Sequence, residues 1–174
     1  MFVKMNKNSK MNIFCIKSVD FRVGIYYNIY NIFSIARIFS MNRKIARENA
    51  FLLLFEGACK GDETAEEIFE KAVGVRELES DDYVKKVFFG YYENARAIEE
   101  CIEKCLVGWK KERVSVTSVA ILRLATYELM FMEDIPVKVS INEAIELSKK
   151  YDDEKAFMFV NGVINAVAEA LSRK

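Results

Sequence analysis

The sequence predicts an all-α protein, a compact bundle of six or seven helices that begins near Met41. Apolar residues recur at three- and four-residue intervals over most of the chain from Asn42 onward, which is the spacing of one helix face. Strand-type alternation is not sustained anywhere, apart from a doubtful stretch at 112–118. One proline and seven glycines among 174 residues provide little turn material, which favours long helices with short connections.

The first helices are delimited by capping residues. The segment 42–59 has a helical pattern, and a second helix follows at Thr64. Thr64 and Glu67 have the spacing of a capping box, in which each side chain bonds a free backbone N–H of the other. A long third helix is predicted over 80–108, and Ser115 is placed to cap the next one.

The stretch 119–162 contains the last three helices. Pro136, the only proline, lacks a backbone N–H and restricts the residue before it, so it should end the first of them. Ser140 and Glu143 fit a second capping box, which would begin the next helix. The last helix is expected to follow the carboxylates at 152–153, which suit the positive end of a helix dipole.

Two further features of this stretch predict packing. Glu146 and Lys150 have the i,i+4 spacing of an ion pair on an exposed helix face. Asn161 and Gly162 are expected to serve structure, the glycine by permitting close helix approach and the asparagine as a buried amide that bridges backbone groups.

Composition argues against enzyme chemistry. The chain has no histidine, which removes the usual general base and the commonest metal ligand. It also lacks a glycine-rich phosphate loop, a nucleophile elbow and a metal-ligand cluster. Its four cysteines form no CxxC pair and indicate a reducing cytoplasm. We therefore expect no catalysis, no cofactor, no metal and no small-molecule substrate.

Residues 1–40 differ from the rest in charge and residue type. They contain six basic residues and one acidic residue, which leaves 20 basic and 25 acidic residues in 41–174. Their residue types are those of AT-rich codons, and we favour a start assigned too far upstream, or a disordered extension. In the alternative, Val23–Phe39 lies on a membrane surface as an amphipathic helix and makes the protein a membrane adaptor. The segment is short and polar for a membrane span.

Three cations stand at the start of the first helix: Arg43, Lys44 and Arg47. The helix dipole disfavours positive charge there, so the cations favour a role other than stability. Phosphate is the natural partner, because free N–H groups and guanidinium forks both complement it. The alternative is a solvated basic face.

Three ordered motifs resemble the core signature of the NusB family of transcription antitermination factors. They are LRLATYEL at 122–129, IPVKVSINEAIELSKKY at 135–151 and FVNGVI at 159–164, and the resemblance extends from Met41 to the end. It implies a NusB-like bundle that binds boxA RNA of ribosomal RNA operons together with NusE, a small-subunit ribosomal protein. It also implies assistance to the RNA polymerase elongation complex. A homodimer is left open.

The resemblance further implies which residues contact RNA. Family members carry an arginine-rich segment ahead of an Ala-Arg-Glu element at the start of the first helix, although Lys44 and Ile45 stand where further arginines are common. The residues assigned to RNA in this way are Arg43, Lys44, Arg47, Phe55, Arg123 and Phe159.

Three of these assignments have a packing alternative. On periodicity alone Phe55 and Phe159 belong to the core, and Met158 replaces the basic residue common before FVNG in the family. For Arg123 the alternative is an ion pair with an acidic residue at 128, 143 or 146.

A second function stays open beside antitermination. Ribosomal RNA cytosine methyltransferases carry a similar helical domain ahead of their catalytic domain. Because the sequence ends at Lys174 without room for a SAM-binding βαβ domain, we expect this alternative to be a stand-alone accessory RNA-binding domain and not an enzyme.

Overall fold

The computed structural model describes residues 42–60, 63–106, 108 and 114–172, and these form seven α-helices without a strand. The helices are α1 (Arg43–Cys59), α2 (Ala65–Gly74), α3 (Asp82–Glu93), α4 (Ala95–Cys105), α5 (Val116–Phe131), α6 (Val137–Tyr151) and α7 (Ala156–Ala170). The all-α prediction is therefore confirmed. The predictions for residues 1–40, including the apolar segment Val23–Phe39, lie outside the described residues.

Helix α5 is the centre of the bundle. It packs against α1, α3, α4, α6 and α7, and it is buried on nearly every side. Such a helix is apolar all round rather than amphipathic, which explains why its sequence shows no clean polar face. Its interior carries one buried acid, Glu128, whose side chain is 0% exposed.

Helix α3 approaches α5 closely through Gly90. A Cβ atom added at Gly90 would lie 2.6 Å from ring carbons of Tyr127, which is itself buried. No side chain other than hydrogen fits at that separation, so the glycine sets the distance between the two helices.

The predicted caps at the starts of α2 and α5 are confirmed. Thr64 Oγ1 accepts from the backbone N–H of Glu67 at 3.2 Å, and the Glu67 carboxylate accepts from the backbone N–H of Thr64 at 2.9 Å. Ser115 Oγ accepts from the N–H of Ser118 at 3.0 Å. Since these caps are local, they follow from sequence spacing alone.

The predicted helix over 80–108 is in fact two helices. Asn94 has φ −117° and ψ 15°, and its side chain donates to the carbonyl of Gly90 at 2.9 Å. An amide that bonds the preceding turn offers the backbone an alternative to helix, so the chain bends between α3 and α4.

The predicted start of α6 is wrong. Helix α6 begins one turn earlier than expected, with Pro136 as its N-cap, so Ser140 is buried inside the helix instead of capping it. Proline suits the first turn of a helix because its φ is already fixed and its missing N–H would have no partner there. The last helix follows Asp152 and Asp153 as predicted: Asp152 ends α6, and α7 begins at Ala156.

Two packing predictions for this region are also wrong. Lys150 does not pair with Glu146 but reaches Glu48 of α1, with Nζ 2.6 Å from Oε1. Asn161 and Gly162 are exposed, and a Cβ at Gly162 would meet no atom within 4 Å. They therefore lie on the outer face of α7 and mediate no close helix contact. The stretch 112–118 does not form the strand that its alternation suggested, because 116–118 lie in α5. Residues 112 and 113 are outside the described residues.

Candidate nucleic-acid interface

The first two predicted cations lie at the exposed start of α1. Arg43 and Lys44 are both exposed, and Asn42 caps the helix by accepting from the Lys44 N–H at 2.9 Å. The first turn contains no acidic residue that would complement the helix dipole. Positive side chains and free N–H groups thus face solvent together, an arrangement that attracts anions.

Arg47, the third predicted cation, points into the protein. It is 3% exposed, and its Nε donates to Glu128 Oε1 of α5 at 2.8 Å. Its Nη1 lies 3.3 Å from Glu143 Oε2 of α6. The guanidinium therefore joins three helices, and two carboxylates neutralise it.

Tyr83, at the start of α3, completes this buried cluster. Its hydroxyl donates to Glu128 Oε1, and its ring lies under both Arg43 and Arg47, with guanidinium carbons 4.7 and 5.8 Å from the ring centroid. Burial, followed by the Glu128 charge, raises the pKa of the Tyr83 phenol above its usual range. Desolvation works to lower the pKa of Arg47, but Glu128 and its other partners outweigh it, so Arg47 stays charged.

Further cations reach the same face from the end of α6. Lys44 acts electrostatically on both Glu48 and Glu146, and these acids pair with Lys150 and Lys149 respectively. Hydrogen bonds from Lys150, and then from Tyr151, lower the pKa of Glu48. We call Arg43, Lys44, Lys149 and Lys150 the basic surface.

Aromatic rings accompany the lysines of the basic surface. The ammonium of Lys149 lies 5.7 Å from the Phe157 ring centroid, and that of Lys150 lies 5.0 Å from the Tyr151 ring centroid. Rings beside cations are a common platform for unstacked bases of single-stranded RNA. Sequence analysis missed these four residues, although the Lys-Lys-Tyr run followed by an aromatic was a usable signal.

The two predicted aromatic contacts are half-buried. Phe55 packs on Phe51, whose ring lies 5.0 Å from Tyr151, so Phe55 borders the same side of α1. Phe159 lines an open, mainly apolar groove of about 560 Å³ on α7, and Lys155 and the exposed Met158 lie along it.

Arg123 lies apart from the basic surface. It borders a groove with Gly57 at the C-terminal end of α1, whereas Arg43 is the first residue of that helix. A helix of this length separates those ends by about 20 Å. The partner of Arg123 is Glu99 of α4, at 2.7 Å, and none of the three predicted acids.

Two other kinds of site are absent from the described part of the chain. No group of three or more cysteine, aspartate or glutamate side chains there could hold a metal ion. No helix there has the length and apolar character needed to cross a bilayer.

Known proteins match this chain over the helical bundle. The model of the NusB family matches residues 44–169. Transcription antitermination protein NusB of Clostridium botulinum (strain Kyoto / Type A2) is 46% identical over 140 residues, which cover 71% of this chain and 97% of the relative.

Solved structures agree with the sequence comparison. NusB of T. maritima superposes with a TM-score of 0.65 at 36% identity, covering 75% of this chain and 92% of the other. A structure of antitermination factors NusB and NusE in complex with double-stranded RNA gives a TM-score of 0.65 at 33% identity, covering 74% and 96%. The chain belongs to the NusB family.

Proposed function

We propose that this protein is a transcription antitermination factor that binds boxA RNA of ribosomal RNA operons together with NusE and assists the RNA polymerase elongation complex. The observation that carries the proposal is the basic surface, where Arg43 and Lys44 stand exposed at the open start of α1. Its support from relatives is the solved neighbour that holds NusB, NusE and RNA.

The basic surface suits RNA through its phosphates. Arg43 and Lys44 supply charge beside the free N–H groups of α1, and Lys149 and Lys150 extend that charge to the end of α6. Each phosphate neutralised releases counterions, so binding weakens as salt rises. The affinity therefore comes chiefly from a few contacts that do not read sequence.

Base recognition falls to the rings around this surface. Tyr151 and Phe157 lie against its lysines, and Phe159 lines the groove on α7. Phe55, at the edge of the same side of α1, is a further candidate. Unstacked bases that lie against these aromatic rings add a modest, sequence-dependent stacking energy to the binding free energy, which phosphate contacts alone do not provide.

Arg47 and Arg123, the other two residues predicted to contact RNA, chiefly form ion pairs within the bundle. Arg47 holds α1 to α5 and α6 through Glu128 and Glu143. Arg123 pairs with Glu99 of α4, near the end of α1 that is opposite the basic surface. Its RNA contact stays a prediction. The phosphate contacts are therefore concentrated on Arg43 and Lys44.

The protein acts as a scaffold in the cytoplasm and performs no bond-making chemistry. The Clostridium botulinum relative, matched over 97% of its length, is named as an antitermination protein and not as a methyltransferase, which favours this function over an accessory domain of a modifying enzyme. The gain in affinity comes from holding two weakly binding partners together, because the second binding event becomes intramolecular.

A titration with two RNAs tests the proposal. Fluorescence anisotropy would follow the protein binding boxA RNA and a scrambled RNA of equal composition, each with and without NusE. We expect NusE to tighten binding of boxA RNA more than binding of the scrambled RNA. Equal affinity for both RNAs in the presence of NusE would contradict the proposal.

A further inference from the structure

Tyr83 lies where the buried cluster meets the basic surface. It belongs to the first turn of α3, and its side chain is 4% exposed. Its hydroxyl donates to Glu128 inside the bundle, while Arg43 at the surface lies over its ring, 4.7 Å from the centroid. One side chain thus connects an internal carboxylate with an exposed cation.

Arg43 differs from the other arginines around α1 and α5 in how it is held. Arg47 and Arg123 pair with carboxylates, which cancel their charge. Arg43 pairs with no carboxylate among the described residues, and the contact made by its guanidinium there is the Tyr83 ring. An aromatic face attracts a cation without neutralising it, so the charge stays available to a phosphate.

The ring also limits the freedom of a long side chain. An arginine side chain has many rotamers, and part of that freedom is lost when it binds. A guanidinium over a ring keeps N–H donors at its edges, so a side chain already held in this way loses less freedom on meeting a phosphate.

The Tyr83 ring is itself fixed. Its hydroxyl bonds Glu128, and Glu128 is held in turn by Arg47 at 2.8 Å. The hydroxyl bond adds to the close packing of the ring, which is 4% exposed, and burial alone keeps the ring below Arg43.

We propose that Tyr83 is a positioning residue for RNA binding, whose buried ring holds the Arg43 guanidinium pre-oriented toward a phosphate. This proposal rests on the proposed function. It predicts that removing the ring weakens RNA binding, whereas removing the hydroxyl alone leaves the contribution of Arg43 intact.

The test compares Tyr83→Phe with Tyr83→Leu, each with and without Arg43→Ala, on the full chain with boxA RNA. Both variants lose the hydroxyl bond to Glu128, so Tyr83→Phe controls for the stability lost with that bond. We expect Tyr83→Leu to bind about 2- to 5-fold more weakly than Tyr83→Phe, the range of an exposed cation–π contact. Arg43→Ala should weaken binding less in the Tyr83→Leu background.

The outcomes separate the two proposals. If Arg43→Ala weakens binding equally in the wild type and in both Tyr83 variants, the positioning role is refuted and the RNA contact of Arg43 stands. If Arg43→Ala has no effect in the wild type, the contact itself is wrong and the positioning role falls with it.

A second measurement does not depend on the folding of Tyr83→Leu. Protons over an aromatic face resonate upfield, so the side-chain NMR signals of Arg43 should be displaced from random-coil positions in the wild type and in Tyr83→Phe. Random-coil positions in the wild type would overturn the proposal.

Discussion

Replacement of Arg47 by methionine should destabilise the protein severely, because it strands a buried charge. Glu128 is 0% exposed and receives its ion pair from Arg47 at 2.8 Å. Removing one partner of such a pair typically costs about 3–5 kcal/mol, since the other charge remains desolvated. A domain has about 5–15 kcal/mol of stability in total, so Arg47→Met should remove a large part of it.

Urea unfolding followed by circular dichroism measures this loss. With a denaturant slope of about 2 kcal/mol/M, a loss of about 4 kcal/mol lowers the midpoint by about 2 M. The control is Arg96→Met, which breaks an i,i+4 pair with Glu100 on a side chain that is 93% exposed. That change should cost at most about 0.5 kcal/mol.

A double variant separates a stranded charge from lost packing. Arg47→Met with Glu128→Leu removes both charges and should recover part of the stability, because apolar residues often replace a buried ion pair without cost, although the Tyr83 hydroxyl loses its acceptor. The reasoning is refuted if Arg47→Met costs no more than Arg96→Met. It is also refuted if the double variant is less stable than Arg47→Met alone.

Two other predictions concern helix packing and alkaline pH. Gly90→Ala should lower the free energy of unfolding by about 1–3 kcal/mol, because its Cβ would lie 2.6 Å from Tyr127 ring carbons. The control is Gly74→Ala, whose Cβ would meet no atom within 4 Å. Equal melting temperatures of the two variants would contradict the account. Burial raises the pKa of Tyr83 and Tyr91 above the unfolded value of about 10. Above that pH the unfolded chain releases these protons while the folded chain keeps them, so stability should fall by about 1.4 kcal/mol per pH unit for each tyrosine. Urea unfolding at pH 9 and pH 11 checks this, and Tyr83→Phe should reduce the decline; an unchanged decline would contradict the role of Tyr83.

Features that depend on neighbours in the chain could be predicted from the sequence. The capping box of Thr64 and Glu67 and the cap at Ser115 were predicted correctly because their partners lie three residues away. The boundary at Pro136 was only half predicted. The sequence predicts that Pro136 ends the preceding helix, and in the structure Pro136 also begins α6 as its N-cap, because proline suits a helix start.

Features that depend on tertiary contacts could not be predicted from spacing. Arg47 stands one turn from Arg43, which predicted a shared role, but its partner Glu128 lies 81 residues away in the chain. Lys150 likewise pairs with Glu48 across two helices and not with its helical neighbour. A charged residue on the predicted polar face can thus point inward when another helix supplies a carboxylate.

The candidate site was predicted in part for the same reason. Arg43 and Lys44 lie on one exposed helix start, as their positions in the sequence suggested. The lysines at 149 and 150 join them only because the end of α6 folds back beside α1. That proximity has no signature in the local sequence.

The salt dependence of boxA RNA binding tests the central claim most directly. The measurement compares the wild type with Arg43→Ala plus Lys44→Ala, and with the control Lys71→Ala plus Arg76→Ala, which removes the same charge. Arg76 pairs with Glu56, about 20 Å along α1 from Arg43. The account predicts that the slope of log affinity against log salt falls by about one to two for the first pair and stays unchanged for the control. Equal slopes for all three proteins would contradict it.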